Sequence, residues 1–150
     1  MNRSTLVSLL LIFTFFGIAD AWYLAQTAME GASLACNFGT VLDGCNVVAK
    51  SQYSQLFGLP LALYGVAFYG LLFALGALLF VRNERRIFLA VEILGIAGAA
   101  ASVVFILIQL LLIKALCVYC IASAILSFFI CAISIVLWKK YAPPHLVHIP

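Results

Sequence analysis

Four long apolar stretches divide this chain, each long enough to cross the hydrocarbon core of a bilayer. At about 1.5 Å of rise per residue, about 20 residues span a core of about 30 Å. The stretches run over residues 5–29, 57–81, 87–113 and 118–138. With 67% hydrophobic and 9% charged residues, a water-soluble domain of 150 residues has no way to hide its apolar surface. Lipid is the matching solvent. Residues 30–56 form the one long link, and the other links are short. The expected fold is all-α: one domain over residues 1–150, a monomeric four-transmembrane-helix bundle with one long external loop. Short links also predict that sequential helices pack as antiparallel neighbours.

The first stretch carries a second signal. Arg3, an apolar run and the "ADA" of residues 19–21 together resemble a secretory leader with a small-residue cleavage site. The apolar run continues through "WYLAQTAM", further than a leader core needs, so a retained helix is expected. The other three helices keep the same orientation in either case.

Basic residues near span ends mark the cytoplasmic side. Arg3, Arg82, Arg85, Arg86, Lys139 and Lys140 share one side, and only Lys50 and Lys114 lie on the other. Both termini are therefore expected in the cytoplasm of a cell inner membrane or its equivalent. The loop over residues 30–56 and the turn before residue 117 then share the external, periplasmic or lumenal face. The net charge of +3 comes with no basic stripe interleaved with aromatics, so nucleic acid is not an expected partner.

That topology gathers four of the five cysteines on one face. Cys36 and Cys45 lie in the loop, and Cys117 and Cys120 form "CVYC" at the start of the fourth stretch. An external face is where disulfides persist. Positions i and i+3 share a helix face, so Cys117 and Cys120 can pair across one turn. Near a helix N-terminus, unpaired amides and the dipole lower a thiol's pKa, and Lys114 is positioned to add to the effect. Closing a two-residue loop removes little chain entropy, which makes a purely stabilising bridge a poor explanation. Redox chemistry by thiolate attack fits better. "CNFGTVLDGC" supplies a second dithiol or a simple loop-closing bridge, and two dithiols on one face suggest a relay.

Other readings of the cysteines are weaker. Zinc would need one pair from a loop with eight intervening residues and the other from a membrane helix, with no nearby histidine. His145 and His148 fall in the opposite tail and read as solvated, so no metal site is expected. Cys131 lies about 16 Å deeper than Cys120, beyond disulfide reach, and reads as a packing residue. A membrane scaffold whose disulfides merely brace the loop is the non-enzymatic alternative.

Read together, "CNVVAKSQYSQLFGLP" over residues 45–60 and "CVYC" opening the last helix resemble the vitamin K epoxide reductase family. That family places a cysteine pair in its first loop and a serine six residues after the second of them. A Phe-Gly-Leu entry to helix two and CxxC at helix four complete the pattern. The resemblance covers residues 8–138. It implies a four-helix bundle around a quinone pocket, with electrons passing from thiols to a quinone of the ubiquinone, menaquinone or vitamin K type. It also implies residue roles. Cys36 would exchange with an external thioredoxin-fold, DsbA-like protein. Cys45 would form a mixed disulfide with Cys117, and Cys120 would face the quinone. Ser51 matches the family serine near the active site; its alternative is a cap on the short helical segment before helix two. Ala124 stands where vertebrate members carry a tyrosine, and the vertebrate asparagine near the quinone has no match. Quinone reduction coupled to disulfide formation is therefore expected over epoxide reduction. A DsbB-like oxidase would show the reverse order, with CxxC after helix one.

Residues near the external span ends are the candidate quinone walls. Phe57, Leu61 and Tyr64 come from helix two, and Gln109 and Leu112 from helix three; each also suits ordinary packing. Gln109 can hydrogen-bond a quinone carbonyl or a neighbouring helix. Asp20 and Glu92 are ionisable groups within spans, which are costly enough to imply a role or a partner. Glu92 is near enough to Arg86 to pair with it or to reach the interface, and Asp20 has no assigned role. "GIAGAAAS" over residues 95–102 permits close helix approach and is no nucleotide loop.

Overall fold

The computed structural model describes residues 2–34, 36 and 44–142. The loop over residues 37–43 and the histidines at 145 and 148 lie outside the described residues. Among the described residues five α-helices follow in chain order: α1 Arg3–Glu30, α2 Cys45–Ala49, α3 Leu61–Val81, α4 Arg85–Leu107 and α5 Val118–Tyr141. A single 3-10 turn, Gln52–Ser54, and a small antiparallel hairpin, β1 Gln55–Leu56 with β2 Leu59–Pro60, sit between α2 and α3. α4 continues as a wider π-type turn over Ile108–Ile113. Four of these helical segments are long and apolar enough to cross a membrane, the third being Arg85–Ile113.

Local chemistry sets the ends. α1 runs unbroken through residues 19–21 and stops at Gly31, whose φ of 65° and N–H bond to the Thr27 carbonyl form a left-handed C-cap. Helix two begins at Leu61, four residues later than the expected Phe57. Pro60 lacks an N–H and biases Leu59 toward extended backbone, so residues 55–60 turn as a hairpin instead. Its tip has φ of 53° at Phe57 and 80° at Gly58, the left-handed pair that tight hairpins demand.

Packing differs from the simple sequential picture. α1 packs chiefly against α3 and α5, and α4 against α5, while the sequential pair α3 and α4 touch less. Their link is too short to let the helices diverge, yet α1 and α5 bury a larger share of their length than α3 and α4 do. The core contains Leu10, Leu72, Leu79, Phe88, Ile130 and Leu137. Outward-facing Phe15, Phe16, Val81 and Leu111 remain exposed, as lipid contact requires.

The bundle has two chemically distinct ends. At one, the Arg3 guanidinium donates to the Leu79 and Arg82 carbonyls and stands over the Phe88 ring. Arg85 lies over the Trp138 ring at 5.1 Å, and Lys139 and Lys140 occupy the last turn of α5, where cations complement the helix dipole. At the other end lie α2, the hairpin and the turn before α5, and with them the four cysteines.

Candidate functional site

Two short segments far apart in sequence build the site. Cys45 opens α2, and Cys117 is the residue at which the chain enters α5. They meet because Gly44 has no side chain. A Cβ added there would lie 2.8 Å from the Leu116 carbonyl oxygen and 2.9 Å from its nitrogen. Backbone thus packs on backbone one residue before each cysteine. Cys36, Cys45 and Cys117 belong to one buried cluster with Leu34, at 3%, 0% and 1% exposure, and Cys120 packs against it.

The four sulfurs are in two states. Cys36 and Cys45 form a disulfide with their Cα atoms 6.3 Å apart. Cys117 and Cys120 are free thiols within hydrogen-bonding reach of each other. The disulfide occupies two of the four sulfurs a zinc reading would use. Cys131 sits half-buried on α5, eleven residues beyond Cys120, and Glu92 of α4 lies within electrostatic range of it rather than serving the link arginines. In that link, Arg82 pairs with Glu84 at 3.3 Å.

Gln109 holds the turn that carries Cys117. Its Oε1 accepts from the Cys117 N–H at 2.9 Å, and its backbone carbonyl accepts from Ala115 N at 3.2 Å. Its side chain also reaches the Cys120 thiol. Gln109 is 3% exposed. Between these anchors Lys114 takes a left-handed φ of 56°, a costly conformation for a lysine that the flanking bonds impose. Asn46 does the same for the other segment. Its side-chain amide accepts from Leu34 N at 2.8 Å and donates to the Leu34 carbonyl at 3.2 Å, pinning the segment before Cys36.

Cys117 is poised as a thiolate. Its pKa falls from the ordinary 9.0 to about 7, first because the Cys120 thiol donates to it. Burial and the negative charge of Asp20 oppose this, while the backbone amides of Cys120 and Tyr119 assist. The amides are the free N–H groups of the first turn of α5, as helix-start chemistry predicts. The expected help from Lys114 is not among the causes.

The remaining expected site residues are placed as follows. The Ser51 hydroxyl donates to the Val48 carbonyl at 2.7 Å, and so closes the C-terminal end of the short helix α2; it makes no side-chain cap to the 3-10 turn that follows. The Tyr64 hydroxyl donates to the Leu56 carbonyl at 3.1 Å and so ties α3 to the hairpin. Leu61 is half-buried at the start of α3. Leu112 faces outward, and Phe57 at the hairpin tip is 93% exposed. Of the expected walls, the structure thus brings only Gln109 against the thiols. Sequence reasoning missed Gly44 and Asn46, whose neighbourhood to Cys45 was the one available signal.

A profile of the vitamin K epoxide reductase family matches residues 8–135. The chain belongs to that family. Among curated proteins, this vitamin K epoxide reductase family member is 32% identical over 117 residues to "Thiol-disulfide oxidoreductase LTO1" of Arabidopsis thaliana. The match covers 73% of the chain but 30% of that relative, so the chain spans about a third of the plant protein's length. Its four apolar helices and family make it an integral membrane protein.

Proposed function

We propose that this protein is a membrane thiol-disulfide oxidoreductase that passes electrons from an external thioredoxin-fold protein, through two cysteine pairs, to a quinone, and so supports disulfide formation. One observation carries the reading: a disulfide and a free dithiol, from segments about 70 residues apart, share one buried cluster. The family match and the printed name of the plant relative support the same chemistry.

The exchange steps follow from the order of the sulfurs. A partner dithiol reduces Cys36–Cys45 through a mixed disulfide with Cys36. The Cys45 thiolate then attacks Sγ of Cys117 in an oxidised helix pair, which releases Cys120 as thiolate. Attack of Cys36 on Cys45 closes the loop disulfide and leaves Cys117 and Cys120 reduced. This last arrangement is the one in which the sulfurs stand. Burial of Cys45 and Cys117 keeps water and stray thiols from intercepting the exchange.

A quinone, when bound, supplies the two-electron acceptor. The protein suits the reduced form of such a molecule on one point of its own structure: Asp20 presents a buried carboxylate oxygen without a hydrogen-bond partner among the described residues, able to accept from a hydroquinone O–H, and it lies within electrostatic range of Cys120. We assign Gln109, Leu61 and Tyr64 to the inner side of the acceptor site, with Ser51 near the loop disulfide. Phe57 and Leu112 face outward, where they would meet an acceptor arriving from lipid. Ala124 is buried and offers no hydroxyl where vertebrate members have one, which favours quinone over epoxide as the acceptor. The basic end of the bundle is assigned to the cytoplasm and the cysteine end to the external face.

The test is quinone reduction by purified protein in detergent, driven by a reduced thioredoxin-fold donor. Turnover that disappears in Cys120→Ala is expected. A folded wild-type protein that reduces none of several quinones would leave the disulfides as mere braces.

A further inference from the structure

α1 carries one carboxylate within its apolar length, and its position is specific. Gly17, Asp20, Ala21 and Leu24 recur at i, i+3, i+4 and i+7, so they form one face of the helix. Gly17 lies against the Tyr69 ring of α3, where an added Cβ would come within 2.6 Å. Leu24 packs against the cysteine cluster. Tyr23, next along the helix, meets Tyr119 of the CVYC motif with ring centroids 5.2 Å apart. Asp20 is therefore held between the Tyr69 layer and the cysteine layer, and its charge acts on Cys117, Tyr119 and Cys120 together.

Its surroundings are otherwise satisfied. The Tyr69 hydroxyl bonds the Ser123 hydroxyl at 2.8 Å, the Ser127 hydroxyl at 2.9 Å and the Ser123 carbonyl at 3.1 Å. Ser123 and Ser127 follow Cys120 at i+3 and i+7, on the same face of α5. Asp20 Oδ2, by contrast, is buried with no protein hydrogen-bond partner among the described residues. Leaving a charged group's oxygen so costs more than the roughly 1–3 kcal/mol of an ordinary unsatisfied polar atom. A glycine, alanine or leucine would fill the helix at no such cost, so packing alone does not account for an aspartate here. An ionisable group inside a span marks a function.

We propose that Asp20 is the proton acceptor of the Cys117–Cys120 dithiol. The inference rests on the redox reading above and deepens it. Oxidation of the pair breaks two S–H bonds, forms one S–S bond and releases two electrons and two protons. Both electrons go to the acceptor. The Cys120 proton passes to the Asp20 carboxylate and then to the reduced acceptor, so that Asp20 ends as it began. The Cys117 proton goes to solvent at the thiolate-forming step, and the acceptor takes its second proton from solvent, so that two protons leave the dithiol and two enter the acceptor. The titratable groups that Asp20 acts on are Cys117, Tyr119 and Cys120 from the α5 side. Tyr69 of α3 lies one turn away, against Gly17, and no basic side chain interacts with Asp20 among the described residues.

The charge and the base functions of Asp20 have opposite consequences, which makes the idea testable. Asp20 raises the Cys117 pKa through its charge. Asp20→Asn removes that charge, so Cys117 should react with iodoacetamide at lower pH than in the wild type. Oxidation of the dithiol should nevertheless slow, by roughly tenfold or more, as loss of a general base does. Both quantities are read on the reduced protein in single-turnover mixing across pH 5–9, with ubiquinone-1 and, in parallel, diamide as oxidant. Asp20→Glu should restore the rate if it folds alike, as judged by Cys36–Cys45 formation.

More reactive thiols with slower oxidation, rescued by Asp20→Glu, would establish proton acceptance. Oxidation that quickens in step with alkylation would reduce Asp20 to a fixed charge and overturn the proposal. A wild type oxidised by diamide but by no quinone would refute the acceptor reading alone, and Asp20 would then be judged on the diamide arm.

Discussion

Gly44 lies directly against Leu116, and this backbone contact sets the distance between the two redox segments. A Cβ at Gly44 would also meet the Ala115 Cβ at 2.7 Å. Backbone atoms have no rotamer by which to move aside, so Gly44→Ala must push α2 away from the turn before α5. Overpacking of this kind costs about 1–3 kcal/mol. The functional loss should exceed the stability loss, because Cys45 and Cys117 are the next residue on each side. In a Cys36→Ser, Cys120→Ser, Cys131→Ser background the two remaining cysteines can only cross-link with each other. Gly44→Ala should cut the yield of that Cys45–Cys117 disulfide severalfold, and Ala115→Gly should recover part of it. An unchanged yield would show that the contact does not set the approach.

Gln109 predicts a different failure. Its side chain accepts the buried Cys117 N–H, and no other acceptor for that donor is described. Gln109→Leu keeps the volume but strands the donor, at a cost of about 1–3 kcal/mol. The first turn of α5 should then fray, raising the Cys117 pKa and slowing exchange. Gln109→Glu retains an acceptor and should keep the fold. Thermal unfolding in detergent, with hydrogen exchange at Cys117, distinguishes the two variants. Equal protection in Gln109→Leu and the wild type would contradict this role.

Much of the fold was legible in the sequence because each apolar stretch had to be a helix in lipid. The grouping of Cys36, Cys45, Cys117 and Cys120 followed from charge asymmetry and short links. The start of α3 was not legible, since residues 57–60 are apolar enough to extend a span. Only Pro60 and the left-handed pair Phe57 and Gly58 break the helix there. The contact of Gly44 with Leu116 and the clamp of Asn46 on Leu34 were hidden for another reason. In each the partner is backbone, Leu116 for Gly44 and Leu34 for Asn46, and a backbone partner leaves no residue-type signature. Asp20 was visible as an expensive residue, but its neighbours came only from the way α1 lies against α3 and α5.

Asn46 gives a prediction about the loop pair. Its amide replaces a short stretch of sheet, holding both backbone groups of Leu34. Asn46→Ala leaves those groups unpaired and frees the segment that carries Cys36. The Cys36–Cys45 disulfide should then be reduced several times faster by a small thiol such as dithiothreitol, while Cys117 and Cys120 keep their alkylation rates. Asn46→Asp preserves one of the two bonds and should fall between. Reduction at the wild-type rate in Asn46→Ala would mean that burial alone protects the disulfide.

The pH dependence of Cys117 separates its causes. Only the thiolate attacks, so reactivity must rise with pH as the proton leaves. For Cys117 the rise should centre near 7, two units below the ordinary 9.0, since the charged form is favoured in the folded protein. Below pH 6 the rate should fall about tenfold per unit, and above pH 8 it should level off. The largest cause is the hydrogen bond from Cys120, so Cys120→Ala should move the midpoint upward toward the ordinary thiol range. Lys114→Ala should leave it unchanged, because that side chain is not among the causes. The measurement is the rate of reaction with a small disulfide from pH 5 to 10, with Cys131→Ser in every protein to remove the third thiol. A midpoint near 9 in the parent would contradict the poised thiolate. A shift in Lys114→Ala would return the lysine to the site.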